Sequence, residues 1–326
     1  MTVKLGFIGT GGIANYHIGS LVQIKDVSLT AFCDVDLGRA QRAASGHHGA
    51  KAYAKVEDML DDNKLDGVYI CVPPMAHGDV ERQLIERAIP FLVEKPLGID
   101  RNTPAAISQA VKAKKLITSV GYHWRYSEAT NVAKQLLADR TPGMALGYWM
   151  GGMPMVPWWR VQTGSGGQFV EQTTHIVDLL RYLCGEVTEV YAAYSHKVMD
   201  KKVEGTDVPD VGTVTLKLAN GMVATISNTC MMPVVHHVGL DIYTDKGVLE
   251  VRGNSLKEIG KEGVLTHTNK LQPTAAEDEA FIHALRTGDT SRILSDYEDS
   301  LRTHDITIAA NESAVSGKPV SLATFL

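Results

Sequence analysis

The sequence predicts an α/β Rossmann-type, doubly wound parallel sheet followed by a C-terminal α+β domain with a large, open-faced, mostly antiparallel sheet. Three observations carry this reading. The first third of the chain alternates short apolar runs with amphipathic ones, the pattern of a parallel sheet with crossover helices. A glycine turn, Gly9-Thr-Gly11-Gly12-Ile13-Ala14, joins the first apolar run to the first helical one. From Thr188 onward, apolar and polar residues alternate as in strands with one face in water.

In the first part, the strand candidates are VKLGFIG, VSLTAFC, GVYICV, PFLVE and LITSVG, and helical runs such as Val80 to Ala88 and Pro104 to Lys115 fill the gaps. The texture changes after Gly121, which places a dinucleotide-binding domain over 1–122 and a substrate-binding and oligomerisation domain over 123–326. The second part opens with a helix over about Ser127 to Ala138, passes through YWMGGMPMVPWWR, and enters the helical run GGQFVEQTTHIVDLLRYL. The strands EVYAAYSHKV, GTVTLKLANG, MVATISNTC, VGLDIYTDKG and VLEVRG follow, with Asn220-Gly221 and Lys246-Gly247 as hairpin turns. Helices around Thr274 to Thr287 and Asp296 to Ser316 close the chain. A sheet face without helices over it calls for a second subunit, so a homodimer or homotetramer is expected.

A chain of 326 residues suggests two cores, and 44% hydrophobic with 21% charged residues is an ordinary folded composition. A formal net charge of -5 and a pI near 6.2 exclude a protein that coats nucleic acid or anionic membrane. The expected partner is therefore a small molecule or another protein. The amino terminus MTVKLGFIGTGGIA lacks the features of a secretory signal, and no apolar run reaches the ~20 residues that cross a bilayer, so a cytoplasmic protein is expected. Cys33, Cys71, Cys184 and Cys230 lie far apart in apolar segments, as small buried hydrophobes rather than a disulfide frame or zinc site.

The glycine turn has a physical logic. Gly9 permits the tight turn, Gly11 lets backbone approach a pyrophosphate, Ala14 allows close helix packing, and Gly12 and Ile13 open a helix whose free N–H groups attract phosphate. Asp34 ends the next strand about 20 residues on, where an acidic side chain binds the adenosine ribose hydroxyls. A carboxylate there repels a 2′-phosphate and favours NAD(H); Arg39, close behind, keeps NADP(H) open. Glu94-Lys95-Pro96 falls at the end of the fifth strand, on the cofactor side of the sheet. A lysine at that edge can donate to a reacting oxygen and stabilise an alkoxide.

GFIGTGGIA, CVPPMAH, EKPLG, GYHWRY and GGQFVEQTTHIVDLLRYLCG, in this order over about residues 5 to 185, resemble the Gfo/Idh/MocA family (glucose-fructose oxidoreductase, inositol dehydrogenase and relatives). The resemblance implies that Lys95 is catalytic and binds the reacting hydroxyl and the nicotinamide edge, with a cis bond before Pro96. It also implies that Pro73, Pro74 and His77 line the nicotinamide-ribose side, and that Arg125 lies near the cofactor, although an interdomain salt bridge would equally explain that arginine. His77 is alternatively a helix-entry residue bonded to backbone.

Helical spacing puts Glu171 and His175 one turn apart on one face, with Asp178 and Tyr182. A metal half-site, a proton relay and a buried structural pair are the three readings; no further ligand stands out at zinc spacing, so no metal is expected. The family carries His at the second position and usually Asp at the first, where this chain has Glu171. The relay reading makes His175 the base, Lys95 the oxygen stabiliser and Glu171 an orienting or hydroxyl-binding group, in a cleft shared with Lys95. Trp158 and Trp159 offer indole faces to a ring, or pack in a core. Tyr122, His123, His236 and His237 line the same cleft or a sheet face.

These features predict an NAD(P)-dependent dehydrogenase or reductase acting on a CH–OH group of a small polyhydroxylated substrate: a sugar, inositol or related polyol. Two alternatives stay open. One is an NAD-dependent glycosidase with transient hydride transfer, and the other is a non-catalytic regulator that senses dinucleotide.

Overall fold

A computed structural model describes residues 2–322; the outer limits of the expected domains, 1 and 326, lie outside them. In chain order come β1 (Val3–Ile8), α1 (Gly12–Leu21), β2 (Val27–Cys33), α2 (Leu37–Ser45), β3 (Lys51–Tyr53), α3 (Val56–Asp62), β4 (Gly67–Ile70), α4 (Asp79–Glu86), β5 (Phe91–Val93), α5 (Asn102–Lys114) and β6 (Thr118–Val120). Next are α6 (Glu128–Leu137), β7 (Pro142–Met150), the short helices α7 (Gln162–Ser165) and α8 (Gln168–Glu171), and α9 (Thr174–Cys184). Then follow β8 (Val187–Ser195), α10 (Met199–Lys202), β9 (Val211–Leu218), β10 (Val223–Thr229), β11 (His237–Thr244), β12 (Gly247–Val251), β13 (Ser255–Gly260) and β14 (Gly263–Thr268). The last elements are α11 (Pro273–Thr287), α12 (Tyr297–Ser316) and β15 (Val320–Ser321).

The elements group into two compact units. The first holds the residues up to Gly98, Asn102–His123 and Gln272–Leu301; the second holds Ile99–Arg101, Trp124–Leu271 and the residues from Arg302 on. The segment Gln272–Leu301, assigned from sequence to the second domain, thus belongs with the first. The reason is apolar: Phe281 and Ile282 of α11 are buried in one cluster with Val3, Leu5, Phe7 and Tyr69. Tyr297 likewise joins Phe91, Val93 and Val120.

The first unit is built on a parallel sheet in the order β3-β2-β1-β4-β5-β6. Its inner strands are apolar on both faces, as strands covered on both sides must be; every residue of β4 and of β5 is buried. The chain passes from β1 outward to β2 and β3, then returns to place β4 on the other side of β1. The carboxyl ends of β1 and β4 are therefore the switch point at which such sheets bind ligands.

The second unit carries a sheet in the order β14-β13-β12-β11-β7-β10-β9-β8-β15, antiparallel except for β7 with β10. In β9, Val214, Leu216 and Leu218 are buried while Thr213, Thr215 and Lys217 are exposed, the alternation that one covered face demands. The buried side packs on α9 through Ile176, Val177 and Leu180. Helix and sheet come close at Gly147 of β7, where a Cβ would meet Ile176 Cγ2 at 2.7 Å.

An ion pair holds the start of this unit to α9. Arg125 donates to both oxygens of Asp178 at 2.7 and 2.5 Å, the hydroxyl of Thr303 adds a third bond at 2.8 Å, and the guanidinium lies 4.9 Å from the Tyr182 ring centre. Both ends of this pair fall within the second unit. Removing one partner of a buried pair leaves a charge without compensation. We expect Arg125→Met to destabilise the fold by roughly 3–5 kcal/mol, and the double variant with Asp178→Leu to recover most of that in thermal and chemical denaturation.

Candidate active site

The glycine turn follows β1 directly. Gly9 has φ +83°, and a Cβ there would stand 2.3 Å from the Cys71 carbonyl oxygen, so only glycine lets β1 and β4 end side by side. Around Gly11 and Gly12 the space a side chain would occupy is open. Ala14 is fully buried beneath the turn. The first N–H groups of α1 have no acceptor inside the helix and are donors for an anion.

Asp34 shapes this turn. One carboxylate oxygen accepts from the N–H of Thr10 at 3.0 Å and from its hydroxyl at 2.9 Å, while the other accepts from the N–H of Asp36 at 2.9 Å. Burial alone would raise its pKa, but these donors and the nearby Arg39 charge hold it below the usual carboxylate value. Two ionised oxygens keep further lone pairs for ribose hydroxyls, so the turn and Asp34 together fit an NAD molecule. Arg39 is paired on the surface with Asp36, which also caps α2.

At the end of β5, the Lys95–Pro96 peptide is cis. Lys95 is half-buried, and its N–H donates to Glu94 Oε2 at 3.2 Å. Glu94 is buried, and its other oxygen meets Nε2 of His17, a residue of α1, at 3.0 Å. A Cβ on Gly121 would lie 2.5 Å from the Glu94 carboxylate, which gives the glycine of GYHWRY a physical reason. Burial pushes the Glu94 pKa up, and the His17 hydrogen bond, with the charges of His17 and Lys95, more than reverses this. His123 nearby is pushed down to about 4, by burial and the positive charges of Lys95 and His17. His77 is held by the Glu81 side chain at 2.6 Å, rather than by backbone, at the entry to α4. Pro73 and Pro74 form the turn just before it.

His17, Glu94 and Glu277 offer ligand atoms within 4.8 Å of one another. Both nitrogens of His17 already stand at hydrogen-bond distance from carboxylates, on Glu94 and on Asp278, so the group is read as a hydrogen-bonded cluster.

In the second unit, His175 lies in the first turn of α9 and is 5% exposed, its ring near-parallel to those of Trp124 and Trp149, with ring centres 6.2 and 6.0 Å away and each pair 18° from parallel. The two indoles fix the plane of the imidazole. Glu171 does not share a regular helix with it. The helical run breaks at Gln172 and Thr173, where the Thr173 N–H reaches back to the Gln168 carbonyl at 2.9 Å, one residue farther than an α-helical bond. Glu171 accepts from the indole N–H of Trp159 at 2.6 Å.

Trp159 and Tyr122 depart from their expected substrate-facing roles. Trp159 is 1% exposed, packed with Met153, Val208 and Cys230, and Tyr122 is fully buried in the core of the first unit, so neither ring has a face open to a substrate. Trp158 is half-buried at the edge of the Trp159 cluster. His237 lies on β11, edge-on to Tyr148 of β7 at 4.5 Å. Sequence reading missed Trp124 and Trp149, which lie far from His175 along the chain and follow no spacing rule. It also missed His17, which stands in the helix right after the glycine turn.

Residues 3–122 match the model of the Gfo/Idh/MocA oxidoreductase family's NAD-binding Rossmann fold, and residues 144–250 match the Gfo/Idh/MocA C-terminal domain. The uncharacterized oxidoreductase YrbE of Bacillus subtilis (strain 168) is 25% identical over 98% of this chain and 96% of its own length. Inositol 2-dehydrogenase of Rhizobium meliloti (strain 1021) is 24% identical over 99% of this chain and all of its own, 100%. The solved WlbA dehydrogenase from Bordetella pertussis, in complex with NADH and UDP-GlcNAcA, has the same fold with a TM-score of 0.87 at 21% identity, covering 99% of this chain and 100% of that one. Among the described residues no helix is long and apolar enough to cross a membrane. Both domain models match in order, on a chain whose glycine turn and Asp34 suit NAD, and the protein therefore belongs to the Gfo/Idh/MocA family of NAD(P)-dependent dehydrogenases.

Proposed function

We propose that the chain oxidises a secondary hydroxyl of a cyclic polyol, an inositol or a sugar, or runs the reverse reduction. The observation that carries the proposal is the environment of His175: an imidazole stacked near-parallel to two indoles and largely out of bulk water. Such a ring is oriented for one proton transfer and kept from exchanging with solvent. The names of relatives such as Inositol 2-dehydrogenase support the substrate class.

The residues divide the work. The Lys95 ammonium donates to the substrate oxygen and stabilises the negative charge that grows there. An imidazole nitrogen of His175 takes the hydroxyl proton. Glu171, aimed by Trp159, accepts from a neighbouring hydroxyl and selects which carbon reacts. When bound, the nicotinamide supplies the hydride acceptor. Asp34 keeps a carboxylate where a 2′-phosphate would stand, which favours NAD over NADP.

Inositols, sugars and sugar acids assayed by NADH absorbance, with NAD and with NADP, should reveal turnover with NAD. Lys95→Ala and His175→Ala should each lower kcat by about 10²–10⁴-fold while NAD affinity, measured by calorimetry, stays near that of the unchanged protein. Full turnover by either variant refutes its role. Binding of NAD without turnover of any panel member points to a sensor, and product without net NADH points to the glycosidase chemistry.

The outward face of the large sheet is proposed to be covered by a second copy of the chain. Its exposed Met144, Tyr191 and Val223 are apolar surface on strands that carry no helix on that side. Light scattering should give a dimer or tetramer, and Tyr191→Glu should shift it toward monomer; a monomeric starting protein contradicts the idea.

A further inference from the structure

Three charged side chains from three separate elements form a line inside the first unit. Asp278 Oδ1 of α11 lies 2.7 Å from Nδ1 of His17 in α1, and Nε2 of the same ring lies 3.0 Å from Glu94 Oε1 at the end of β5. The His17 and Asp278 side chains are 0% exposed and that of Glu94 is 5% exposed. An ionised carboxylate only accepts hydrogen bonds. An imidazole with such an oxygen at each nitrogen therefore carries both protons, unless one of the carboxyl groups is itself protonated.

The surroundings favour the imidazolium. Glu277 brings a further carboxylate within 4.8 Å of the ligand atoms of His17 and Glu94, so the cluster is acidic and needs a buried cation. Burial lowers the His17 pKa, but Asp278 and Glu94 outweigh it and hold the group well above its ordinary value. The other groups facing the line are Tyr69 and Cys71, both pushed up by burial and the nearby carboxylates, together with His123 and Lys95.

The line ends on Lys95. Glu94 gives one oxygen to His17 and the other to the backbone N–H of Lys95, and Gly121 packs so closely on the carboxylate that it has little room to turn. We propose that His17 is a positioning residue: anchored on Asp278, its imidazolium keeps Glu94 ionised and fixed, and Glu94, bonded to the Lys95 backbone and attracted to the Lys95 charge, sets the point from which that side chain reaches the substrate oxygen. The inference rests on the role proposed above for Lys95. It also joins the dinucleotide turn to the catalytic lysine, because His17 sits on the helix that the turn opens.

The test uses His17→Gln, Glu94→Gln and Asp278→Asn in the full chain, with folding checked by circular dichroism. The first readout needs no substrate. In protein labelled with [15N]histidine and [13Cε]lysine and loaded with NAD, His17 should show both nitrogens protonated near neutral pH. The Lys95 signal, assigned with Lys95→Arg, should move in the His17 and Glu94 variants while lysines of the second unit keep theirs. A neutral His17, or a Lys95 signal unmoved by His17→Gln, overturns the proposal; should His17→Gln fail to fold, the Asp278→Asn protein is read by the same criterion.

The second readout is turnover of the best member of the polyol panel. His17→Gln should lower kcat by about 10²-fold, with KM little changed. In a Lys95→Met background it should cost nothing more, because the two residues act as one unit. An equal loss in both backgrounds marks a merely structural role and sinks the relay alone. Full turnover by Lys95→Met itself instead removes the functional reading on which the relay rests.

Discussion

A carboxylate taken out of water must be given a partner, and Glu94 is where the first unit meets that requirement. It is buried at the end of β5, beside Lys95, and its compensation comes from His17 on the first helix and, through it, from Asp278 on α11. The return of α11 to the first unit is thus electrostatic as well as apolar. Phe281 and Ile282 supply the apolar area, and Asp278 supplies the anchor for the one buried cation of the line. The second unit meets the same requirement with Arg125, which reaches Asp178 from the turn before α6 and fixes α9, the helix that carries His175.

Much of this was legible in the sequence wherever a local rule decided the outcome. The glycine turn could be read because close backbone approach admits no Cβ, as the 2.3 Å clash at Gly9 makes plain. The alternation of β9 could be read because one covered face imposes a period of two. The hairpin at Asn220-Gly221 could be read because Gly221 has φ +86°, which glycine adopts without strain. Each of these depends on a few neighbouring residues.

What escaped was set by long-range packing. Strand β3 is three residues long and half-polar, and β13 and β14 lie beyond the clear alternation, with Leu265 and Val264 exposed. The break at Gln172 and Thr173 has no glycine or proline to announce it, so an unbroken period was the natural reading. The sequence leaves Trp159 open between a ring face and a core, and Tyr122 between a cleft and a sheet face; only the tertiary fold shows that both are buried. Trp124 and Trp149, which do flank His175, come from a turn and a strand that converge only in the folded unit.

The break in the helix gives Glu171 its meaning. On a continuous helix, a carboxylate one turn before His175 would stack on the same face and serve the imidazole. The additional residue in the turn redirects the chain, and the buried indole of Trp159 captures Glu171 at 2.6 Å. A neutral N–H donor orients a carboxylate without cancelling its charge. The long side chain of Glu171 thus comes with its own support. On the role proposed for Glu171, the length of its side chain and a fixed indole donor together set where a substrate hydroxyl would be recognised, separately from the proposed base.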